Sequence, residues 1–348
     1  MTPREAFVSA AATRILIKDG PFGTELQRRD AYAGDFAGDL NLFCDQRGNG
    51  DIANLARPDI VGAVIEDYLD AGADLIATNT FNANRVSQSE YGAEQLVGDI
   101  NRAAARIARE RVDAASAKDG RVRFVAGALG PTNKTLSLSP DVGDPGYRAI
   151  DFDTLSQVYR EQAEALAEGG ADFILVETVF DTLNAKAAIF GTLEAEQALG
   201  RELPLMLSMT LTDLSGRNLS GHTIEAFWYS VRHARPLTIG LNCSFGAEQL
   251  RSHVKQLSAI ADTLVMAYPN AGLPNDLGEY DEEPHTTAGL VREWADGGLV
   301  NVLGGCCGSR PDHIAAMAKT VAGLAPRAIP AQPVVTRLAG LEPFTLVA

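Results

Sequence analysis

The sequence predicts an α/β protein built as a single (β/α)8 TIM barrel. Short apolar runs recur along the whole chain of 348 residues, and segments with helical periodicity separate them. Runs that are apolar at nearly every position are typical of parallel strands covered on both faces. Eight such runs alternating with helices favour a barrel over a doubly wound sheet. The predicted strands are 14–20, 73–79, 123–130, 172–178, 203–210, 237–243, 263–270 and 299–305.

The segments between these runs show the apolar spacing of amphipathic helices. In 58–72 the apolar residues fall on one stripe, Pro58 stands at a favourable first helical position, and Gly72 follows the end. The segments 152–170 and 247–261 show the same period. Each of these segments is therefore predicted to be a helix that covers the barrel.

Composition indicates one domain over residues 1–348, because no change in residue usage marks a second one. A hydrophobic content of 46% in a chain of this length is enough for a large core. We expect the barrel core to span about 14–326. The Pro-containing segment 327–348 should wrap around the barrel or act as a linker.

The charge and the apolar pattern exclude several classes of partner. A formal net charge of −15 argues against nucleic acid, which binds clustered Lys and Arg, and against a polybasic membrane contact. No apolar run approaches the roughly 18 residues of a membrane span. The apolar stretch at the N-terminus is too short for a secretory signal. We therefore expect a cytoplasmic protein with reduced thiols.

Two adjacent cysteines, Cys306 and Cys307, lie between glycines at the end of the last predicted strand, and Cys243 ends the sixth. In such barrels the reactive groups gather where strands end, so these three thiolates could converge on one metal ion. Thiolates suit a soft or borderline divalent ion, with Zn²⁺ the first choice. Three protein ligands leave one position open, as in catalytic zinc sites. The flanking glycines would let both side chains turn without Cβ crowding.

Other interpretations of the cysteines remain open. Cys44 lies in the long segment after the first strand and could close a structural site of four cysteines, or be a buried small hydrophobe. A vicinal disulfide is disfavoured because adjacent Cα atoms lie about 3.8 Å apart, below the usual range of about 4.4–6.8 Å. A non-catalytic zinc-binding or scaffold barrel is a further alternative.

Two carboxylates, Asp19 and Glu177, also end apolar strands. An unpartnered carboxylate is costly to bury, so each needs a compensating group. A substrate amino group, a backbone N–H or an arginine would serve. Asn79 and Asn270 end two further strands on the same face.

A set of motifs runs in order along roughly residues 14–342. They are D-G-P-F-G-T-E-L-Q (19–27), T-N-T-F (78–81), G-A-L-G-P-T-N (127–133), E-T-V-F-D-T-L-N-A-K-A-A (177–188), G-L-N-C (240–243), P-N-A-G-L-P-N (269–275), G-E-Y (278–280) and G-G-C-C-G (304–308). Together they resemble the homocysteine-binding domain of cobalamin-dependent methionine synthase. G-G-C-C-G with an upstream G-x-N-C is specific to homocysteine-type S-methyltransferases.

The resemblance implies a barrel in which Cys243, Cys306 and Cys307 hold Zn²⁺ and act in catalysis. Asn270 would occupy the fourth position before substrate arrives, and homocysteine sulfur would take that position during turnover. Zinc would keep the sulfur as a thiolate, which attacks a methyl group to give methionine. The donor would be methylcobalamin, as in a 5-methyltetrahydrofolate–homocysteine methyltransferase system.

The resemblance also implies how the substrate and the partner bind. Asp19 and Glu177 would hold the amino group of homocysteine, and backbone amides near Gly23 and Asn79 its carboxylate. The loop 131–147 should lie on the same face, where it would close over substrate, contact the partner or be an ordinary polar loop.

The relatives continue into folate-binding, cobalamin-binding and reactivation domains, whereas this sequence stops at Ala348. We therefore expect either an excised module or one chain of a split enzyme, with methylcobalamin presented by a partner. A stand-alone methyltransferase using S-methylmethionine, S-adenosylmethionine or betaine remains the alternative.

Overall fold

The computed structural model describes residues 1–31, 37–40 and 42–346, and a ring of parallel strands forms its centre. The strand order in the sheet is β1-β8-β7-β6-β5-β4-β3-β2, so every strand from β2 to β7 pairs with the next one in sequence, and β8 pairs with β1. A parallel bridge between Lys18 and Leu75 joins the two ends of the sheet. The strands are β1 (Leu16–Ile17), β2 (Leu75–Ala77), β3 (Phe124–Leu129), β4 (Phe173–Val179), β5 (Leu205–Met209), β6 (Thr238–Gly246), β7 (Leu264–Asn270) and β8 (Val302–Leu303). The predicted (β/α)8 barrel is confirmed.

Strand limits differ from the predicted apolar runs. β1 and β8 have two residues each, although the runs that contain them are longer. β6 continues past the predicted end at 243, and its register against β7 shifts between Asn242 and Gly246. The reason is physical: an apolar run reports burial, whereas the ladder hydrogen bonds between neighbours set where a strand ends.

Helices cover the outside of the barrel. α4, α7 and α10 begin at the predicted residues 58, 152 and 247. No helix of the described residues combines the length and apolar character needed to cross a membrane. The helices are α1 (Pro3–Ala11), α2 (Phe22–Arg28), α3 (Ala53–Ala56), α4 (Pro58–Asp70), α5 (Arg85–Gln88), α6 (Val97–Asp119), α7 (Phe152–Gly169), α8 (Thr182–Leu199), α9 (Ile224–Val231), α10 (Ala247–Ile260), α11 (Pro284–Asp296) and α12 (Pro311–Val321). Short 3₁₀ turns occupy Gly38–Leu40, Gly50–Ile52, Ser89–Tyr91, Glu94–Leu96 and Arg232–Ala234, and a two-stranded sheet comprises β9 (Arg337–Ala339) and β10 (Pro343–Thr345).

The barrel interior is filled from its amino-terminal end by α1, a helix the sequence interpretation did not identify. Phe7 is fully buried, with its ring centroid 5.2 Å from those of Phe124 and Phe173. Along β4, Phe173 and Leu175 belong to the same interior cluster. Because side chains alternate along a strand, this pattern brings Glu177 to the interior at the carboxyl end. Packing at one end of β4 therefore sets the position of a carboxylate at the other.

The segment 327–346 lies against the outside of the barrel. Arg327 is buried and donates hydrogen bonds to the backbone oxygens of Ser258 and Thr263, the latter at 2.8 Å. β9 and β10 form an antiparallel hairpin beside α9, where the Arg337 guanidinium lies 5.2 Å from the ring centroid of Tyr229. These contacts tie the segment to the barrel wall.

Candidate active site

Three cysteine sulfurs meet at the carboxyl ends of the strands. Cys243 lies in β6, and Cys306 and Cys307 follow β8. The three Sγ atoms all lie within 4.8 Å of one another, and those of Cys243 and Cys307 are 3.8 Å apart. β7 separates β6 from β8 in the sheet, so the barrel order itself brings the sulfurs together. A cluster of this kind can hold a metal ion.

Cys243 adopts an unusual backbone conformation that Asn242 supports. The φ angles of Cys243 and Ser244 are +60° and +64°, a left-handed region that costs a non-glycine residue about 1–3 kcal/mol. Asn242 Oδ1 accepts hydrogen bonds from the Thr178 amide at 3.1 Å and the Ser208 hydroxyl at 2.7 Å. Its Nδ2 donates to Thr178 Oγ1 at 2.8 Å. Asn242 thus joins the ends of three strands and holds the turn that presents Cys243.

Glycine at 308 allows a tyrosine to pack against the cysteine pair. The φ angle of Gly308 is +78°, and a Cβ there would lie 2.3 Å from Tyr280 Cβ. Tyr280 lines the same cavity as the cysteines. Burial and the neighbouring sulfurs of Cys307 and Cys243 raise the pKa of the Tyr280 hydroxyl, so the phenol stays protonated. Gly308 is therefore required for two reasons: its backbone is left-handed, and Tyr280 approaches too closely to leave room for a side chain.

The three thiols cannot all ionise without a cation. Hydrogen bonds from Cys306 and Cys307 lower the pKa of Cys243 far below its usual value. The same contact with Cys243 raises the pKa of both Cys306 and Cys307. Without a cation, one sulfur of the cluster therefore ionises more readily than the other two, and a divalent cation would compensate the charge of three thiolates.

A buried amide oxygen completes the surroundings of the sulfurs. Asn270 ends β7 between the two cysteine-bearing strands and is 2% exposed. Its Oδ1 has no hydrogen-bond partner within the described residues. Leaving such an oxygen unpaired costs free energy, so a cation or a ligand donor at this point would be favourable.

Cys44 is not part of this cluster. It is exposed, and its Sγ lies 3.2 Å from the place where a Cβ on Gly92 would stand. Within the described ranges, the group that could hold a metal contains only the other three cysteines. The closed four-cysteine site considered from the sequence is therefore not formed.

A cavity of about 470 Å³ opens beside the cysteines. Gly23, Asn79 and Glu177 line it, so three of the four predicted substrate-binding residues face the same space. Asp19 is fully buried and already engaged. Its Oδ1 accepts from Lys18 Nζ at 2.7 Å, and its Oδ2 accepts from the Ala77 amide at 2.8 Å.

Lys18 and Tyr268 link the carboxylates, although the sequence interpretation passed over both. Lys18 Nζ lies 4.7 Å from the ring centroid of Tyr268, whose hydroxyl donates to Glu177 Oε2 at 3.0 Å. Burial raises the pKa of Asp19 and of Glu177, and the attraction of Lys18 only partly offsets that rise. Burial alone would lower the pKa of Lys18, but Asp19 and Glu177 outweigh it and keep the ammonium charged. The sequence did contain one sign that Lys18 is buried, because this lysine stands inside the apolar run R-I-L-I-K-D-G (14–20).

Asp51 is another acid that the sequence interpretation missed. It is 5% exposed and lines the cavity, and its Oδ1 accepts from the Asn82 amide at 3.0 Å. Burial raises the pKa of Asp51 to about 7. Nothing in its neighbourhood in sequence distinguishes Asp51 from a surface acid.

Replacing Asp51 with asparagine should flatten the pH dependence of stability. The folded pKa of about 7 lies above the ordinary 3.8, so the free energy of unfolding falls as pH rises through this window. At 1.36 kcal/mol per unit, this loss is up to roughly 4 kcal/mol, and Asp51→Asn should lack it. Urea unfolding from pH 4 to pH 8 measures the difference between the two proteins. Asp153→Asn, at an exposed carboxylate of α7, is the control, and parallel curves for Asp51→Asn and the wild type would refute the assignment.

Fold and site together define a (β/α)8 barrel with a cysteine cluster that can hold a metal ion at its strand-end cavity. The family model of homocysteine S-methyltransferase matches residues 16–321. The chain belongs to the homocysteine S-methyltransferase family, and the sequence resemblance to this family is confirmed.

Solved structures of the homocysteine methyltransferase MmuM from Escherichia coli have the same fold. The metallated form has a TM-score of 0.70 at 22% identity, over 91% of this chain and 99% of that chain. The oxidized form has a TM-score of 0.68 at 22% identity, over 88% and 95%. The apo form has a TM-score of 0.63 at 21% identity, over 88% and 96%.

Proposed function

We propose that this protein binds Zn²⁺ and methylates the sulfur of homocysteine to give methionine. The methyl donor is methylcobalamin, carried on other domains or on a separate chain that also binds folate. The observation that carries the proposal is the convergence of the Cys243, Cys306 and Cys307 sulfurs beside an open cavity. Membership of the homocysteine S-methyltransferase family supports the substrate.

The donor atoms of the site suit zinc. Three cysteine sulfurs would hold the ion, and the unpaired Oδ1 of Asn270 is the candidate fourth ligand in the absence of substrate. When bound, zinc supplies a Lewis acid that keeps the substrate sulfur deprotonated at neutral pH, where a free alkyl thiol is mostly protonated. Asn242 and Tyr280 support the two ends of the cysteine cluster.

The cavity residues bind and orient the amino acid. Tyr268 engages one oxygen of Glu177, which leaves the other for the substrate ammonium. Gly23 and Asn79 are candidates to bind the carboxylate through their backbone amides. With the substrate held, its sulfur forms a new bond to the methyl carbon. The bond from that carbon to the donor breaks with its electron pair left on the donor, and the thiol proton goes to solvent.

Exposed apolar side chains in the loops that follow several strands support a large donor. Val142 follows β3, Leu214 follows β5, and Leu273 and Leu277 follow β7, and all four are exposed. Phe43 is exposed in the segment after β1. Apolar groups on several loops of one face are typical of an interaction surface, which a small sulfonium or betaine donor would not need.

The zinc part of the proposal is tested by metal analysis and X-ray absorption at the zinc edge. We expect one zinc per chain. Adding homocysteine should replace one light ligand by a fourth sulfur in the zinc spectrum. Zinc with an unchanged spectrum at saturating homocysteine would favour the non-catalytic barrel instead.

The donor is tested by offering homocysteine with one methyl source at a time and measuring methionine. We expect product with methylcobalamin, and faster product when a cobalamin-binding partner presents it. S-methylmethionine, S-adenosylmethionine and betaine should give none. Turnover with one of these three, and none with methylcobalamin, would replace this donor by the stand-alone alternative.

A further inference from the structure

Lys18 occupies a special place at the closure of the barrel. Its backbone amide donates to the Leu303 oxygen at 2.7 Å, and its bridge to Leu75 joins β1 to β2. Leu16 belongs to the interior cluster, so the alternation along β1 also brings Lys18 to the interior. The side chain is 4% exposed and lines the cavity. A lysine is rarely buried to this degree unless a partner compensates its charge.

The ammonium of Lys18 has hydrogen-bonding capacity to spare. Asp19 Oδ1, at 2.7 Å, is the one acceptor that Nζ contacts among the residues that the structure describes. An ammonium carries three N–H groups, so two remain. Lys18 is also the sole cationic side chain among the described residues that line the cavity, whereas Asp51 and Glu177 supply carboxylates.

Tyr268 sets a cation and an anion side by side. Its ring lies beneath Lys18 Nζ at 4.7 Å, and its hydroxyl donates to Glu177 at 3.0 Å. The ammonium of Lys18 and the carboxylate of Glu177 therefore both contact Tyr268. An α-amino acid carries its own ammonium and carboxylate on a single carbon, so this pair is complementary to a zwitterion.

We propose that Lys18 binds the α-carboxylate of the substrate together with the backbone amides near Gly23 and Asn79, and thereby selects an amino-acid thiol over a simple thiol amine. This inference rests on the proposed function, because homocysteine is the substrate it concerns. Asp19 then holds Lys18 in place through its ion pair, and Glu177 alone receives the substrate ammonium. The assignment differs from the clamp implied by the sequence resemblance, in which Asp19 also binds the amino group.

The test compares three ligands by calorimetry on zinc-loaded protein. They are L-homocysteine, 3-aminopropane-1-thiol, which lacks the carboxylate, and 4-sulfanylbutanoate, which lacks the ammonium. The variants are Lys18→Met, Asp19→Asn and the double variant, which removes the cation together with its paired anion and so keeps the buried net charge. Lys255→Met, at an exposed lysine of α10, is the matched control.

In the double variant, homocysteine and 4-sulfanylbutanoate should each bind about 10- to 100-fold more weakly, the range of a hydrogen bond to a charged group. Binding of 3-aminopropane-1-thiol should change by less than about threefold. Asp19→Asn should preserve the preference for homocysteine over the thiol amine. A preference that survives removal of Lys18 would overturn the inference. So would equal weakening of both ammonium-bearing ligands in Asp19→Asn.

Zinc content and wild-type binding separate this inference from the proposed function. If the wild type holds zinc but binds no homocysteine, the proposed function fails and so does the role of Lys18. If the wild type binds homocysteine and the double variant binds it equally well with zinc retained, only the role of Lys18 fails. If Lys18→Met does not fold because Asp19 is left unpaired, the double variant decides the question.

Discussion

Replacing Cys306 with serine is expected to remove zinc from the protein and to reduce methionine formation to below about 1% of the wild-type rate. Serine keeps the size and a hydrogen-bonding group but does not provide a thiolate. Changes to groups that only support metal ligands already cost about 10- to 100-fold in metal affinity or activity, so loss of a ligand should cost at least as much. Metal analysis of the purified variant and an assay at saturating homocysteine measure both effects.

Cys44→Ser is the matched control for that experiment. Cys44 is exposed and lies outside the sulfur cluster, so its replacement should leave one zinc per chain and wild-type activity. The wild type and Cys44→Ser should also gain thermal stability from added zinc, whereas Cys306→Ser should not, because a ligand stabilises only the state that binds it. Zinc loss in Cys44→Ser would support the closed four-cysteine site and contradict the site of three cysteines with one open position.

Replacing Glu177 with glutamine should lower kcat/KM for homocysteine by about 100-fold while zinc content stays at one per chain. Glutamine keeps the oxygen that accepts from Tyr268 but removes the negative charge that, in the proposed function, would pair with the substrate ammonium. Loss of one partner of a buried charged pair costs about 2–5 kcal/mol, and 2.7 kcal/mol corresponds to 100-fold. Steady-state kinetics with homocysteine, together with metal analysis, provide the measurement.

The stability of the Glu177 variant shows whether its loss of activity is specific. Burial raises the folded pKa of Glu177 above its ordinary value, so the wild type loses stability as the pH rises from that ordinary value through the folded pKa. Glutamine lacks this cost, and the melting temperature at pH 8 should equal or exceed that of the wild type. Glu164→Gln, on the outer surface of α7 and paired with Arg160, should leave kcat/KM unchanged. A similar loss of kcat/KM in both variants would contradict a role for Glu177 in substrate binding.

The site was predictable from sequence where one residue type carries the chemistry by itself. Cys306 and Cys307 stand together between glycines, and Cys243 ends a strand that barrel order places nearby. Glu177 was identified because it is a carboxylate at the end of an apolar run. Lys18 and Asp51 were missed because a lysine or an aspartate in sequence does not reveal burial. Only the packed cavity shows that both are desolvated.

By itself, the sequence determined the barrel, the helices that begin at residues 58, 152 and 247, the family, and the three cysteines that gather at one face. Apolar periodicity carries the information on the barrel and its helices, and short motifs carry the information on the family and the cysteines, because both can be read from residues close together in the chain. Tertiary structure alone decided that Cys44 lies outside the cluster, that Asp19 is occupied by Lys18, and that Tyr268 sets a cation beside Glu177. Tyr268 and Glu177 lie on strands distant in sequence, and the pairing of Lys18 with its neighbour Asp19 depends on burial, which no local pattern encodes.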